Sequence, residues 1–223
     1  MSGRPGRDGP GHTLVGMTTM EQSATAQAGP TLRGKVFDAV LRLCRERSYD
    51  DIGLADIAAA VGVEEEEVRR LWPTKSLVVM ESLLHHVAPS MRFPRTGDMR
   101  RDLTQQLTVT AELFADPGIG PHLVAVISEV RADERLAAAF HEKVYTPNRT
   151  MARERFQLAQ EQGQLRTDID VDTAVDLVFG PIWFRLLLGT GPLTAELAER
   201  IADHALTGLR VAGGAVPPGR QAA

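Results

Sequence analysis

The sequence has one cysteine, two tryptophans, two tyrosines and, among its 25 basic residues, only three lysines. A lone Cys44 cannot close an intrachain disulfide and leaves no cysteine-based zinc set. No apolar run reaches the ~18–20 residues that cross a bilayer. The longest, Leu177–Leu188, is interrupted by Gly180, Pro181 and Arg185. No apolar segment follows Arg4 and Arg7, which argues against a secretory signal and for the cytoplasm. Positive charge is also scarce. The chain carries a net −4, and residues 1–80 hold 10 Lys/Arg against 11 Asp/Glu. Nucleic-acid binding must therefore arise from local placement, not from bulk charge. Between residues 31 and 212 strand signals are missing too, with no sustained alternation and no Asn-Gly or Asp-Gly hairpin.

What is present is ordinary globular material: 223 residues, 43% apolar and 24% charged, enough for one or two domains. Residues 1–30 and 213–223, rich in Gly, Pro and Ala, cannot offset their ordering entropy and are predicted disordered. Between them the apolar spacing is helical. Val36, Val40, Leu43 and Cys44 share a face of a helix over 32–47. Leu54–Val61 is a short helix that Gly62 ends as a left-handed cap. Another starts at Glu64 or Glu65 and stops at Trp72-Pro73. Thr74 N-caps a helix over 75–88. Further helices are expected over 98–115, 119–132, 134–162, 171–189 and 195–211, with Asp133, Asp170 and Thr194 as N-caps. Pro147 should kink or break the long one. The fold class is all-α.

Residues 54–72 have helix-turn-helix spacing, with the tight turn at Gly62-Val63 and the second helix set for a major groove. Ala58 lets the two helices approach, Val63 and Val68 pin the second helix, and Trp72 is a core plug. The stretch 36–77 resembles the N-terminal domain of TetR-family transcriptional regulators. Tyr49-Asp50, Ala55-Asp56-Ile57-Ala58, Gly62-Val63 and Trp72-Pro73-Thr74-Lys75-Ser76-Leu77 carry the resemblance. It implies an N-terminal DNA-binding domain over 31–78 and a divergent helical domain over 79–212 for effector binding and dimerisation. It also implies that Arg69 and Lys75 meet phosphate. Arg33, Lys35 and Arg70 are the other basic candidates at the DNA.

The chain departs from the family pattern in its second and third helices. Ile52 and Gly53 stand where the family has hydroxyls that bond phosphate. The recognition helix opens Glu64-Glu65-Glu66-Glu67, and Arg69 occupies a position where the family has Tyr. Four carboxylates suit a helix N-terminus but face phosphates; one charge pair at 10 Å in water costs about 0.4 kcal/mol before screening. Glu64, Glu65 and Glu67 are candidates to accept from cytosine N4.

The segment 171–189 is apolar nearly all round, so it must bury two sides. One side packs on its own domain, and a twofold partner is the simplest cover for the other. The family resemblance implies a homodimer through the last two helices; a wholly intramolecular core is the alternative. It also implies a small-molecule effector inside this domain. The candidate wall residues are Met91, Phe93, Thr110, Phe114, His122, Tyr145, Phe179 and Trp183, with Leu84, Leu107, Val126 and Phe140 beside them. Ordinary core packing is the alternative for each. Pro181, which removes the bond to the Leu177 carbonyl, could turn side chains toward such a cavity.

No cofactor is implied. His85 and His86 point about 100° apart and share no metal. Gly118-Ile119-Gly120 and Gly189-Thr190-Gly191 follow helices, not strands, so neither is a phosphate loop. No paired carboxylates or nucleophile–base pair indicate an enzyme. The expected function is a transcriptional repressor, released from a palindromic double-stranded DNA operator by a small, largely hydrophobic effector, with no membrane partner. The acidic recognition helix leaves a second reading open: a ligand-binding or interaction module of the same fold with weakened or lost DNA binding.

Overall fold

The computed structural model describes residues 31–210; the segments 1–30 and 213–223, predicted disordered, lie outside the described residues. Ten α-helices follow one another, with no strand among the described residues. They are α1 Leu32–Glu46, α2 Leu54–Val61, α3 Glu65–Leu71, α4 Lys75–Val87, α5 Met99–Ala115, α6 Gly120–Val130, α7 Glu134–Phe140, α8 Thr146–Glu161, α9 Val171–Leu188 and α10 Ala195–Leu209. A 3-10 turn, Tyr49–Asp51, separates α1 from α2, and a π-helical turn, His141–Tyr145, joins α7 to α8.

Short polar side chains fix where helices begin. Thr31, Thr74, Asp98, Asp133, Asp170 and Thr194 each accept a first-turn N–H, a contribution of ~1 kcal/mol apiece. At α2 the cap residue is Gly53, which has no side chain to accept with. Asp56 supplies the reciprocal half, accepting the Gly53 N–H at 2.8 Å. Gly62, at φ 74°, closes α2 in the left-handed region.

The expected long helix is helical throughout 134–161, α7 passing through the π turn into α8, and the irregularity expected at Pro147 takes the form of that widened turn just before it, where the proline supplies no N–H. α9 runs across Pro181 without a break. The Leu177 carbonyl deprived of its partner belongs to a residue on the exposed face, where water can satisfy it.

Two apolar cores hold the chain together. In the first, α1, α2, α3 and α4 enclose Val36, Val40, Ile57, Val68, Trp72 and Val78, and the same cluster continues through Ile119, Val126 and Leu136 of the following segment. The head is thus seated on α6 and α7 by shared apolar contact rather than hung from a linker. Gly120 permits the tight passage from α5 into α6, since a Cβ there would lie 2.1 Å from the Phe114 carbonyl oxygen. The second core joins α5, α8, α9 and α10 through Leu103, Leu107, Phe156, Val178, Ile182 and Leu206. Each fully buried aliphatic side chain contributes ~1.5–3 kcal/mol of transfer free energy.

Inside the second core lies an ion pair. Arg155 Nε donates to Asp102 at 2.7 Å, and both side chains are shut off from solvent. Asp102 also accepts from the Thr96 hydroxyl at 2.6 Å and the Thr96 N–H at 3.0 Å. The Nη1 and Nη2 groups of Arg155 are buried without a partner.

Candidate nucleic-acid interface and ligand cavity

The turn between α2 and α3 is built by backbone geometry. Gly62 N–H donates to the Ala59 carbonyl at 3.3 Å, and Val63 N–H to the Ala58 carbonyl at 3.1 Å. These two bonds satisfy the end of α2 and send the chain sharply into α3. Val68 faces inward from α3, and Trp72 follows it into the core. The opposite face of α3 stays outside, with Glu64, Glu66, Arg69 and Arg70 exposed and Glu65 and Glu67 half-buried. The sequence therefore presents a short helix bearing carboxylates at its start and guanidiniums at its end.

The expected DNA residues fall into two groups. Lys35 and Arg70 are exposed and make no ion pair among the described residues. Arg69 is paired with Glu65 one turn back, Arg33 with Glu81, and the Lys75 ammonium donates to the Tyr49 carbonyl at 2.8 Å while lying 4.1 Å from the Tyr49 ring centre. The Arg33 guanidinium also covers the Trp72 ring at 4.8 Å.

Glu81 on α4 gathers these contacts. It accepts the Trp72 indole N–H at 2.9 Å and pairs with Arg33 and with Lys143 of the π turn. Burial pushes its carboxyl up, but the hydrogen bonds from Lys143 and Trp72 and the charges of Lys143 and Arg33 outweigh that and hold it below the usual carboxylate range. Nothing in the sequence spacing singles out a contact spanning 62 residues.

The second feature is a cavity of about 530 Å³ between α5, α8 and α9, within the range that holds a drug-sized ligand. Seven of the eight expected wall residues line it: Met91, Phe93, Thr110, Phe114, Tyr145, Phe179 and Trp183. Phe140 lines it too, whereas Leu84, Leu107 and Val126 do not. Phe93 meets Phe179 edge-on at 6.4 Å, and Phe114 meets Trp183 at 4.7 Å, so the aromatics brace one another around the space.

His122 is the exception, and the expectation for it is corrected. It points away from the cavity toward the head, where its Nε2–H donates to the Arg47 carbonyl at 3.1 Å and its ring meets Tyr49. The α6 face it occupies is turned to the first core because Val126, one turn on, packs there. Burial lowers the His122 pKa, opposed by the Arg47 carbonyl. Its neighbour Tyr49 donates to Glu129 at 2.8 Å, and burial and this carboxylate raise the phenol. Cys44 is buried, and desolvation pushes its thiol up to about 11.

Beyond Thr110 and Tyr145, sequence reasoning missed the polar groups of the cavity. Gln106, Asn148, Arg149 and Asp176 all line it. A signal existed for Gln106: on α5 it lies between Leu103 and Thr110 on the core-facing stripe, where a large polar side chain needs a reason.

On the outer face of α9, Leu177, Phe184 and Leu188 are exposed, at a spacing that makes one helical stripe. Beside it runs a groove toward α10, lined by Pro181, Ile201, Ala205 and Gly208. Among the described residues no helix is long and apolar enough to cross a membrane.

Residues 93–205 match the tetracyclin repressor-like C-terminal domain. The chain is 25% identical over 175 residues to the HTH-type transcriptional regulator YdeS of Bacillus subtilis, across 78% of this chain and 88% of that protein. It is 27% identical over 142 residues to the HTH-type transcriptional regulator AqdR of Rhodococcus erythropolis, across 64% of this chain and 68% of AqdR. Among solved structures, the TetR-family transcription regulator SCO0332 superposes with a TM-score of 0.68 at 30% identity, over 79% of this chain and 97% of that one. The helix-turn-helix head, the helical body carrying a cavity and these likenesses agree: the chain belongs to the TetR family of DNA-binding transcriptional regulators.

Proposed function

We propose that the protein is a homodimeric repressor that leaves a two-half-site operator when a small, largely apolar molecule enters the cavity. The observation that carries this reading is the position of the π turn and the residue before it. Phe140 and Val144 line the cavity and also pack on the core that contains the head. Between them in sequence, Lys143 pairs with Glu81, which holds Trp72 at the end of the recognition helix. A ligand that displaces this wall acts on the seat of α3 through contacts already made. To switch the protein fully, it must favour one head arrangement by about 5.5 kcal/mol.

The dimer in this proposal forms through α9 and α10. The stripe Leu177, Phe184, Leu188 and the adjoining groove give an apolar surface that a second copy would cover by twofold symmetry. At the DNA, Lys35 and Arg70 are free for phosphate. Arg69 exchanges Glu65 for phosphate at little cost, since an exposed pair at this spacing contributes only ~0.2–0.5 kcal/mol. Lys75 keeps further ammonium hydrogens beyond the one given to Tyr49, and Arg33 lies at the edge of the same surface. Glu64, Glu65 and Glu67 read cytosine edges and penalise other bases.

The test is a salt titration of the purified protein on the DNA flanking its own gene. With Lys35, Arg69, Arg70 and Lys75 of two subunits on phosphate, log K should fall with log salt at a slope near about −7. Saturable, sequence-selective binding near 150 mM salt supports the repressor. Weak binding at every sequence, lost with modest salt, would favour the module with lost DNA binding.

A further inference from the structure

We infer that the ligand of the cavity is an uncharged molecule, apolar along most of its length, whose single hydrogen-bonding group is a carbonyl or hydroxyl seated on the side-chain amide of Gln106. This rests on the proposal that the cavity binds a ligand and adds what that ligand must be. Gln106 lines the cavity and is only 4% exposed. Among the described residues its side-chain amide has no hydrogen-bond partner, while its main-chain carbonyl accepts from the Thr110 hydroxyl at 2.8 Å. The amide is not among the sealed unpartnered atoms and opens into the cavity, so a ligand group that enters can supply its partner there. The other inner polar group, Thr110, has already spent its proton within its own helix. Asn148 has given one of its two amide N–H groups to the Val144 carbonyl at 2.8 Å. Gln106 is therefore the inner group with both donors and acceptor unspent.

The charges around the cavity exclude an ion. Among the described residues its charged lining residues are Arg149 and Asp176, and they pair with each other. Arg149 also pairs with Asp172, which Arg153 meets from the far side, so two cations face two anions at the rim. One turn before Gln106 on α5, Asp102 is paired with Arg155. A carboxylate or ammonium carried to the Gln106 end finds no free counter-charge among the lining residues, and its lost hydration is not replaced. The size is set by the space: 530 Å³ at about 30 Å³ per water holds about 18 waters, so the ligand has on the order of 15 non-hydrogen atoms.

The experiment uses the full chain and the neutral fluorophore N-phenyl-1-naphthylamine, displaced by dodecan-2-one, dodecanoate and dodecylammonium at pH 7.5. The fluorophore should bind once per chain and lose affinity in Ala152→Phe, which fills the wall. Dodecan-2-one should displace it at a concentration about 10-fold or more below either ion. Gln106→Leu should weaken the ketone by about 3- to 10-fold more than it weakens the fluorophore. Gln106→Met, with an unbranched side chain of similar length, repeats the comparison if the leucine variant melts early. Equal or tighter binding of either ion, or a ketone affinity indifferent to both Gln106 variants, overturns the inference while the cavity still binds. Failure of the fluorophore and all three chains to bind overturns the ligand-binding proposal itself.

Discussion

Breaking the buried ion pair should cost far more than removing it. Asp102 and Arg155 are both within 1% of full burial and meet at 2.7 Å. Asp102→Leu leaves a buried guanidinium with no counter-charge, and its Nη1 and Nη2 already lack partners. Such a single cut costs ~3–5 kcal/mol. Arg155→Met leaves a carboxylate that still accepts from Thr96 N–H and Oγ1, so its loss should fall at the lower end, about 3 kcal/mol. The double variant removes both charges together with the unpartnered Nη donors, each of which costs ~1–3 kcal/mol. It should be no less stable than either single variant and within about 2 kcal/mol of the parent. The assay is urea unfolding followed by helical circular dichroism, with protomer concentration held fixed because association contributes to apparent stability. The coupling from the double-mutant cycle should be at least about 3 kcal/mol. If the single losses simply add, within about 0.5 kcal/mol, the argument from burial is wrong.

Three further outcomes follow from contacts described above. Glu81→Gln keeps an acceptor for Trp72 but removes the charge that pairs Arg33 and Lys143. Because the folded carboxyl is depressed, the stability it contributes is present above its unfolded pKa of about 4.3 and lost as pH falls through the folded value. The Tm gap between parent and variant should therefore narrow from pH 7 to pH 3, and a constant gap would contradict the assignment. His122 is held neutral, with its pKa lowered, so its share of stability is complete above about pH 6.5 and declines below that as the unfolded form protonates first. His122→Gln should flatten the fall in Tm between pH 7.5 and 5, and an unchanged slope would assign that fall elsewhere. Gly120→Ala should disrupt folding, since its Cβ would lie 2.1 Å from the Phe114 carbonyl oxygen, while Gly208→Ala, exposed near the end of α10, meets nothing within 4 Å and should leave the Tm close to the parent's. Melting curves of the two variants side by side decide it.

The π turn has a role that its composition does not advertise. His141–Tyr145 lies within a stretch whose spacing reads as one long helix, yet the widened turn gives Val144 to the cavity and Lys143 to Glu81. Such bulges occur frequently at functional sites. Here the bulge lies between a space sized for a ligand and the residues that seat the recognition helix.

Local rules fixed much of this protein before any tertiary contact was known. Thr74, Asp133, Asp170 and Thr194 announced helix starts because a short polar side chain satisfies N–H groups that have no partner inside the helix. Gly62 announced the turn because only glycine enters the left-handed region without strain. The helix-turn-helix was legible for the same reason: it is made of neighbours in sequence. The aromatic wall was largely legible as well, since large apolar residues on inward faces converge when helices pack. The tertiary structure alone decided which contacts cross the chain. His122 and the cavity residues alike lie on inward faces of helices, and only the packing of α6 sends the histidine to the Arg47 carbonyl instead. Glu81 is an unremarkable carboxylate in sequence until the fold brings Arg33, Trp72 and Lys143 around it. Gln106 and the Asp102–Arg155 pair become meaningful only through burial, a property of the packed chain because desolvation depends on every neighbour at once.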